Sequence, residues 1–338
     1  MYSKYIFLKS PHLKNTSLPD FITSNTRLPL IAAPMFLVSG PALVIACCQA
    51  GVIGSFPVTN ARPIGQLEDW MQQIDKALQE AKQQNPSAKI APWALNMIMH
   101  KSYSRFAEEV ELVKKYQPKI VITALGSPEK IVDVVHNYGG MVLADVNSVA
   151  FARKAAKTGV DGLILVAAGA GGHTGRMTGF AFVDAVREFW DGYIALAGGI
   201  SSGQGIRAAQ ALGADLAYMG TRFIPTPESL AVSDYQNMVV DVTAKDLILT
   251  DAITGVPAWF MRPSLEKEGY DLKTLRPKKI DFNDAGAESK AWRDVWSAGQ
   301  GVGVITKKNT VKEIVEQLRM EYEMVLKKEK EGDAWGIQ

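Results

Sequence analysis

Cysteine is scarce in this sequence: two residues among 338, and they are neighbours, Cys47 and Cys48. Adjacent cysteines close only a strained disulfide, and a chain this long needs no covalent staple. The pair reads as buried thiols in a helix, and a reducing cytoplasm is the expected setting. Histidine is equally sparse. His12, His100, His136 and His173 lie far apart, without the Cys/His spacing of a zinc site. No run approaches the roughly twenty apolar residues of a membrane span, and the N-terminal MYSKYIFLKSPHLK has too short an apolar stretch for a signal peptide. Neither sign of charge dominates, since 37 Lys and Arg against 35 Asp and Glu leave +2. That balance gives no electrostatic footprint for nucleic acid or an anionic membrane. Three nucleotide or nucleophile motifs are missing as well. After Gly169 and Gly171, Thr174 stands where a dinucleotide fingerprint needs its third glycine, no G-K-[ST] closes a P-loop, and no G-x-S-x-G elbow occurs.

What is present is a rhythm. Eight short apolar runs, at 28–35, 51–56, 91–98, 118–125, 140–146, 162–168, 192–198 and 215–220, each end in or near Gly, Pro, Asn or Asp. Their apolarity is continuous rather than alternating, which implies strands buried on both faces of a parallel sheet. Helical patterns fill the gaps near 40–50, 65–83, 103–116, 128–138, 148–158, 179–190 and 203–212, with Ser148 as a cap and Gly159 as a stop. Eight strand–helix repeats predict an α/β fold, a (β/α)8 TIM barrel; a doubly wound sheet is the alternative, because periodicity cannot show closure. From 226 to 305 the rhythm breaks into irregular, aromatic-rich sequence. It is read as a mainly helical inserted lid on a barrel made of residues 1–225 and 306–338. The last helix begins at a Thr310/Glu313 capping box and carries an apolar stripe of Val311, Ile314, Val315, Leu318, Tyr322 and Val325.

In such a barrel the chemistry sits at the C-terminal strand ends. Those positions are Ala33 and Met35, Asn96, Asp145, the loop GAGGHTG with Gly171, Gly172 and His173, the pair Gly198–Gly199, and Gly220–Thr221. A phosphate in this architecture binds after the seventh and eighth strands, where glycine backbone and helix N-termini offer N–H groups and Ser201 and Thr221 offer hydroxyls. An imidazole in a loop otherwise stripped of side chains suits proton transfer near neutral pH; a packed, loop-bonding histidine is the plainer reading. Asn96 and Asp145 divide in the same way, between an internal hydrogen-bond network and cofactor contact.

Together AAPM, NMI, GAGGHTG, LAGGISSGQG, YMGTRF and WSAGQGVG, in this order along nearly the whole chain, resemble the nitronate monooxygenases, also called 2-nitropropane dioxygenases. The resemblance implies an FMN-dependent oxidoreductase that converts alkyl nitronates and O2 to a carbonyl compound and nitrite. It implies that His173 is the base toward neutral nitroalkanes. It further implies that Gly198, Gly199, Gly220 and Thr221 hold the FMN phosphate, with Ala33, Met35, Asn96, Asp145, Gly171, Gly172 and Gln300 near the flavin. Some members carry lysine at the fifth strand end, where this chain has Asp145, and an ionised carboxylate there would repel an anionic flavin or nitronate. Related flavin enzymes with the same glycine–histidine loop leave NAD(P)H-dependent reduction of quinones or enoyl thioesters as the alternative. A phosphate-binding barrel without redox chemistry is the reading from another class. Small-molecule substrate and O2 are the expected partners, no metal is expected, and NAD(P)H and a homodimer are left open.

Overall fold

The computed structural model describes residues 17–277 and 292–332; His12, the rest of the first sixteen residues and the 278–291 part of the insert lie outside it. All eight expected runs form strands: β1 (Leu30–Ala32), β2 (Gly54–Pro57), β3 (Trp93–Ile98), β4 (Ile120–Ala124), β5 (Met141–Val146), β6 (Gly162–Val166), then β8 (Tyr193–Ala197) and β9 (Leu216–Met219). They lie parallel in the order β1-β9-β8-β6-β5-β4-β3-β2. The two edges meet. Ala32 N donates to Ile53 O at 2.8 Å and Ile53 N to Leu30 O at 3.0 Å, across a parallel Ile31–Ile53 bridge. That contact makes the sheet a barrel and removes the doubly wound alternative.

Period-two geometry explains why each run is apolar throughout. One set of side chains, including Ile31, Ala94, Ile122, Leu143, Ile164, Ala195 and Leu216 from seven of the strands and Ile53 just before β2, fills the interior. The intervening set, such as Leu95, Val121, Val142, Leu163 and Leu196, packs under the outer helices. The outer helices run Pro41–Ala50, Ile64–Gln84, Phe106–Tyr116, Glu129–His136, Val149–Ala155, Gly179–Arg187 and Gly203–Ala211. Ser148 caps its helix by accepting from Phe151 N at 3.3 Å. Cys47 and Cys48 are fully buried free thiols, and burial pushes Cys48 up to about 12, leaving it inert as a nucleophile.

The eighth outer position belongs to the C-terminal helix Val311–Lys330, reached only after the insert. Val311, Ile314, Val315 and Leu318 pack with Leu43, Cys47, Ile206, Ala217 and Met219, covering the outside of β9 and β1 beside the closing bridge. The insert adds more than the helices Ser233–Asp241 and Arg262–Lys267. It contains a hairpin of β10 (Leu247–Thr250) and β11 (Ala258–Met261), whose β-branched and aromatic residues favour strand. Strand β11 also pairs antiparallel with a two-residue strand, β7 (Gly172–His173), in the loop after β6.

The capping box at the C-terminal helix closes as its spacing implies. Thr310 Oγ1 accepts from Glu313 N at 3.3 Å, and Glu313 Oε2 accepts from Thr310 N at 2.8 Å. Thr310→Ala should lower unfolding stability by about 1 kcal/mol, read as a lower denaturant midpoint at unchanged slope; an unchanged midpoint would show that the cap does not hold this helix on the seam.

Candidate active site

At the C-terminal end of the barrel the interior set includes polar side chains among small or apolar ones such as Ala33, Val166 and Ala197. Asn96 follows Ala94 by two, Asp145 follows Leu143 by two, and Tyr218 belongs to the interior set itself. Asn96 Nδ2 donates to Ile122 O at 3.4 Å, a long bond that leaves much of its capacity unspent. Asp145 Oδ1 is sealed from solvent and has no hydrogen-bond partner among the described residues. Burial with nothing to stabilise the charge raises this carboxyl to about 7. Tyr218 is held well above its ordinary value, first by burial and then by the neighbouring Asp145. The anticipated clash between an ionised Asp145 and an anionic flavin or nitronate is thereby eased: the carboxyl is neither paired nor bonded, and it keeps its proton up to near neutrality.

Beside this floor the loops after β6, β8 and β9 are tied to the returning chain at 297–301. Gly169 O accepts from both Gly199 N (3.1 Å) and Gln300 N (2.9 Å), and Thr221 Oγ1 accepts from Gly299 N at 2.9 Å. The approach requires bare backbone: a Cβ at Gly171 would lie 2.7 Å from Gly299 N, and one at Gly299 would lie 2.8 Å from Gly169 O. Gly198 and Gly199 turn at φ +118° and +72°, a region that only glycine enters freely. Gly220 faces β1, where an added Cβ would meet Met35 Sδ at 3.4 Å and Ala33 Cβ at 3.6 Å. So Gly171, Gly198, Gly199, Gly220, Thr221, Gln300, Ala33 and Met35 form one connected region. The Gly199 N–H, however, is spent inside the protein. Among the described residues the N–H groups of Ile200, Thr221 and Arg222 have no acceptor within the protein.

His173 stands across from this region on β7, opposite Ala258 of β11. Its Nε2 lies 3.2 Å from Thr254 Oγ1, and its ring meets Trp292 edge-to-face, with centroids 5.3 Å apart and planes at 80°. Among the described residues no carboxylate contacts it, and burial lowers its pKa to about 4, so the imidazole is neutral at physiological pH. The insert grips the whole loop. Trp259 Nε1 donates to Ala168 O at 2.7 Å, Thr174 N to Pro257 O at 3.1 Å, and Gly172 N to Ser297 Oγ. Thr254, Trp259, Trp292 and Ser297 were not singled out from the sequence. Each lies 80 or more positions from the loop it holds, and only the concentration of aromatics in the insert hinted at them.

A hollow of about 430 Å³ lies elsewhere, lined by insert residues that include Asp234, Asp241, Asp246, Lys267 and Trp296; no barrel strand end borders it. Among the described residues no cluster of His, Cys, Asp or Glu could hold a metal ion, and no helix is long and apolar enough to cross a membrane.

Comparison with known proteins bears on the fold and the family. The chain is 27% identical over 285 residues to a nitronate monooxygenase of Paraburkholderia phytofirmans, covering 74% of this chain and 77% of that protein. FabK from Thermotoga maritima superposes with a TM-score of 0.73 at 25% identity, over 92% of this chain and 97% of that one. The nitroalkane oxidase of Streptomyces ansochromogenes shares the fold, with a TM-score of 0.74 at 21% identity, over 91% and 99% of the two chains. Among the first curated relatives it matches, the chain spans from 54% to 77% of their length. The family profile for nitronate monooxygenase matches residues 18–321, nearly the whole described chain. With a closed barrel, its strand-end glycines and a loop-borne histidine, the chain belongs to the nitronate monooxygenase family of flavin-dependent oxidoreductases.

Proposed function

We propose that the protein binds FMN at this barrel mouth and oxidises alkyl nitronates with O2 to a carbonyl compound and nitrite, His173 acting as the base when the substrate arrives as a neutral nitroalkane. The observation that carries the reading is the pairing of a neutral, insert-anchored imidazole with a glycine-rich region whose Ile200, Thr221 and Arg222 N–H groups have no acceptor among the described residues. These residues fit the cofactor. The free N–H groups of Ile200, Thr221 and Arg222 suit a phosphate, and Gly199, Gly220, Ala33 and Met35 present a surface without bulky polar groups. Asn96 and the protonated Asp145 offer unspent hydrogen-bonding capacity to a polar ring edge. When bound, the flavin supplies the electron-accepting and O2-reducing chemistry.

The chain's own part is proton handling and exclusion. A neutral nitroalkane loses its α-proton to the His173 lone pair, the C–H electrons move into the nitro group, and the nitronate and an imidazolium result. Trp292 and Trp259 shield that step from water. In the same proposal residues 226–305 are the substrate-facing cover, on a barrel of residues 1–225 and 306–338. A preformed nitronate needs no deprotonation. His173→Asn should therefore lower kcat/KM for a neutral nitroalkane by about 10² or more and that for the matching nitronate far less. The acid limb for the neutral substrate should fall near pH 4 rather than near the ordinary histidine value. Equal losses on the two substrates would remove the base role.

Similarity to FabK favours a second reading, reduction of an enoyl thioester or quinone by NAD(P)H. Anaerobic mixing with NADH separates the two, because rapid bleaching of the flavin spectrum belongs to the reductase and its absence to the oxidase-type reaction.

Asp145 gives a test on stability. Its folded pKa lies above its unfolded value, so the native state holds the proton longer than the unfolded chain does. Stability then falls as pH rises from about 4 to about 7 and levels off above. Asp145→Asn abolishes that loss. The variant should gain on the wild type across this window, by no more than about 4 kcal/mol for a three-unit shift, in unfolding titrations at pH 4.5 and 8. A constant difference between the two proteins would mean that Asp145 ionises normally.

A further inference from the structure

Thr254 sits in the turn between β10 and β11, and its hydroxyl has two neighbours. Oγ1 lies 3.0 Å from Val256 O and 3.2 Å from His173 Nε2. A carbonyl oxygen can only accept, so the single hydroxyl proton is committed to Val256. A lone pair of Oγ1 then faces the imidazole, and Nε2 must carry a hydrogen to bond with it. The reverse arrangement, with Thr254 donating to Nε2, would leave Val256 O without its donor, a cost that half-buried backbone groups avoid. Nδ1 has no hydrogen-bond partner among the described residues.

We infer that Thr254 is the positioning residue of the site: by accepting from Nε2–H it locks His173 in one neutral tautomer and presents Nδ1 as the proton-accepting atom. The inference rests on His173 being the base, and it names which nitrogen works and what aims it. When Nδ1 takes the α-proton, the C–H pair passes to the nitro group, Nε2 keeps its hydrogen, and the Thr254 oxygen meets the positive charge that spreads over the ring. A hydroxyl suits this role better than a carboxylate would. It orients the ring without placing a fixed negative charge beside a substrate that becomes an anion. The β7–β11 pairing of His173 with Ala258 holds the two side chains in register, so the insert supplies both the rail and the stop.

The test is histidine 15N NMR on the purified flavoprotein, with His173 assigned by its loss in His173→Asn. The wild type should show a protonated Nε2 and a bare Nδ1. Thr254→Val, nearly equal in volume but without the acceptor, should give a mixed tautomer signal. It should also lose at least ten-fold more kcat on a neutral nitroalkane than on the preformed nitronate, with KM little changed, and Thr254→Ser should restore both. A wild-type Nδ1–H tautomer, or a valine variant with unchanged tautomer and unchanged kcat, would overturn the assignment. The NMR readout needs no turnover, so absence of nitroalkane activity would count against the proposed reaction and leave the tautomer result to decide the role of Thr254.

Discussion

Two backbone hydrogen bonds between β1 and the residue preceding β2, at Ala32–Ile53 and Ile53–Leu30, turn an eight-stranded sheet into a closed surface. Every feature of the site depends on that closure. Parallel strands share one C-terminal edge in any sheet; closure bends that edge into a ring, narrow enough for loops separated by more than a hundred residues to touch. On that rim Gly199 N, from the loop after β8, and Gln300 N, from the returning chain, share the Gly169 carbonyl of the loop after β6. The C-terminal helix lies against this seam from outside. Its return after the insert ties the integrity of the seam to the position of the cover.

The rim's electrostatics follow from its dryness. An acid and a base, Asp145 and His173, are both shifted toward their uncharged forms by desolvation, the acid upward and the base downward. A mouth in which both groups are pushed toward neutrality repels an anionic reactant less than an ordinary carboxylate would and holds it less tightly than an imidazolium would. Selectivity must then come from shape, from N–H donors and from where a proton can go. The cost is that a base with a depressed pKa is weak. It can draw a proton only from a carbon acid whose anion is stabilised nearby, and the unspent donors of the mouth fit that requirement better than a stronger isolated base would.

Much of the barrel was legible because burial on both faces leaves an unmistakable run of apolar residues, as at Leu163-Ile164-Leu165 and Val142-Leu143-Ala144. The closing pair was not, since Ile31 and Ile53 look like any other interior residues and their contact is spatial. His173 stood out for the opposite reason: one side chain amid glycines. The role of the Gly199 N–H could not be read. Glycine pairs after a strand announce exposed amides, and whether an amide points at a ligand or at a neighbouring carbonyl such as that of Gly169 depends on how the loop after β6 folds beside β8. The hairpin of the insert was missed because the LILT and AWFM segments are too short, and too isolated in irregular sequence, to declare a period.

The insert's contribution follows from the same geometry. In the loop after β6, five of the residues from 169 to 175 are small, so nothing within the loop can orient an imidazole. A freely swinging ring would sample both tautomers and many angles, and proton transfer depends on a narrow range of each. Orientation must therefore come from outside the loop. Strand pairing with β11 fixes the backbone of His173, the Trp292 ring packs edge-to-face on it, and in our proposal the Thr254 oxygen selects its hydrogen. Barrel and insert divide the work accordingly: the barrel clears the space with glycine, and the insert restores the order that glycine removes.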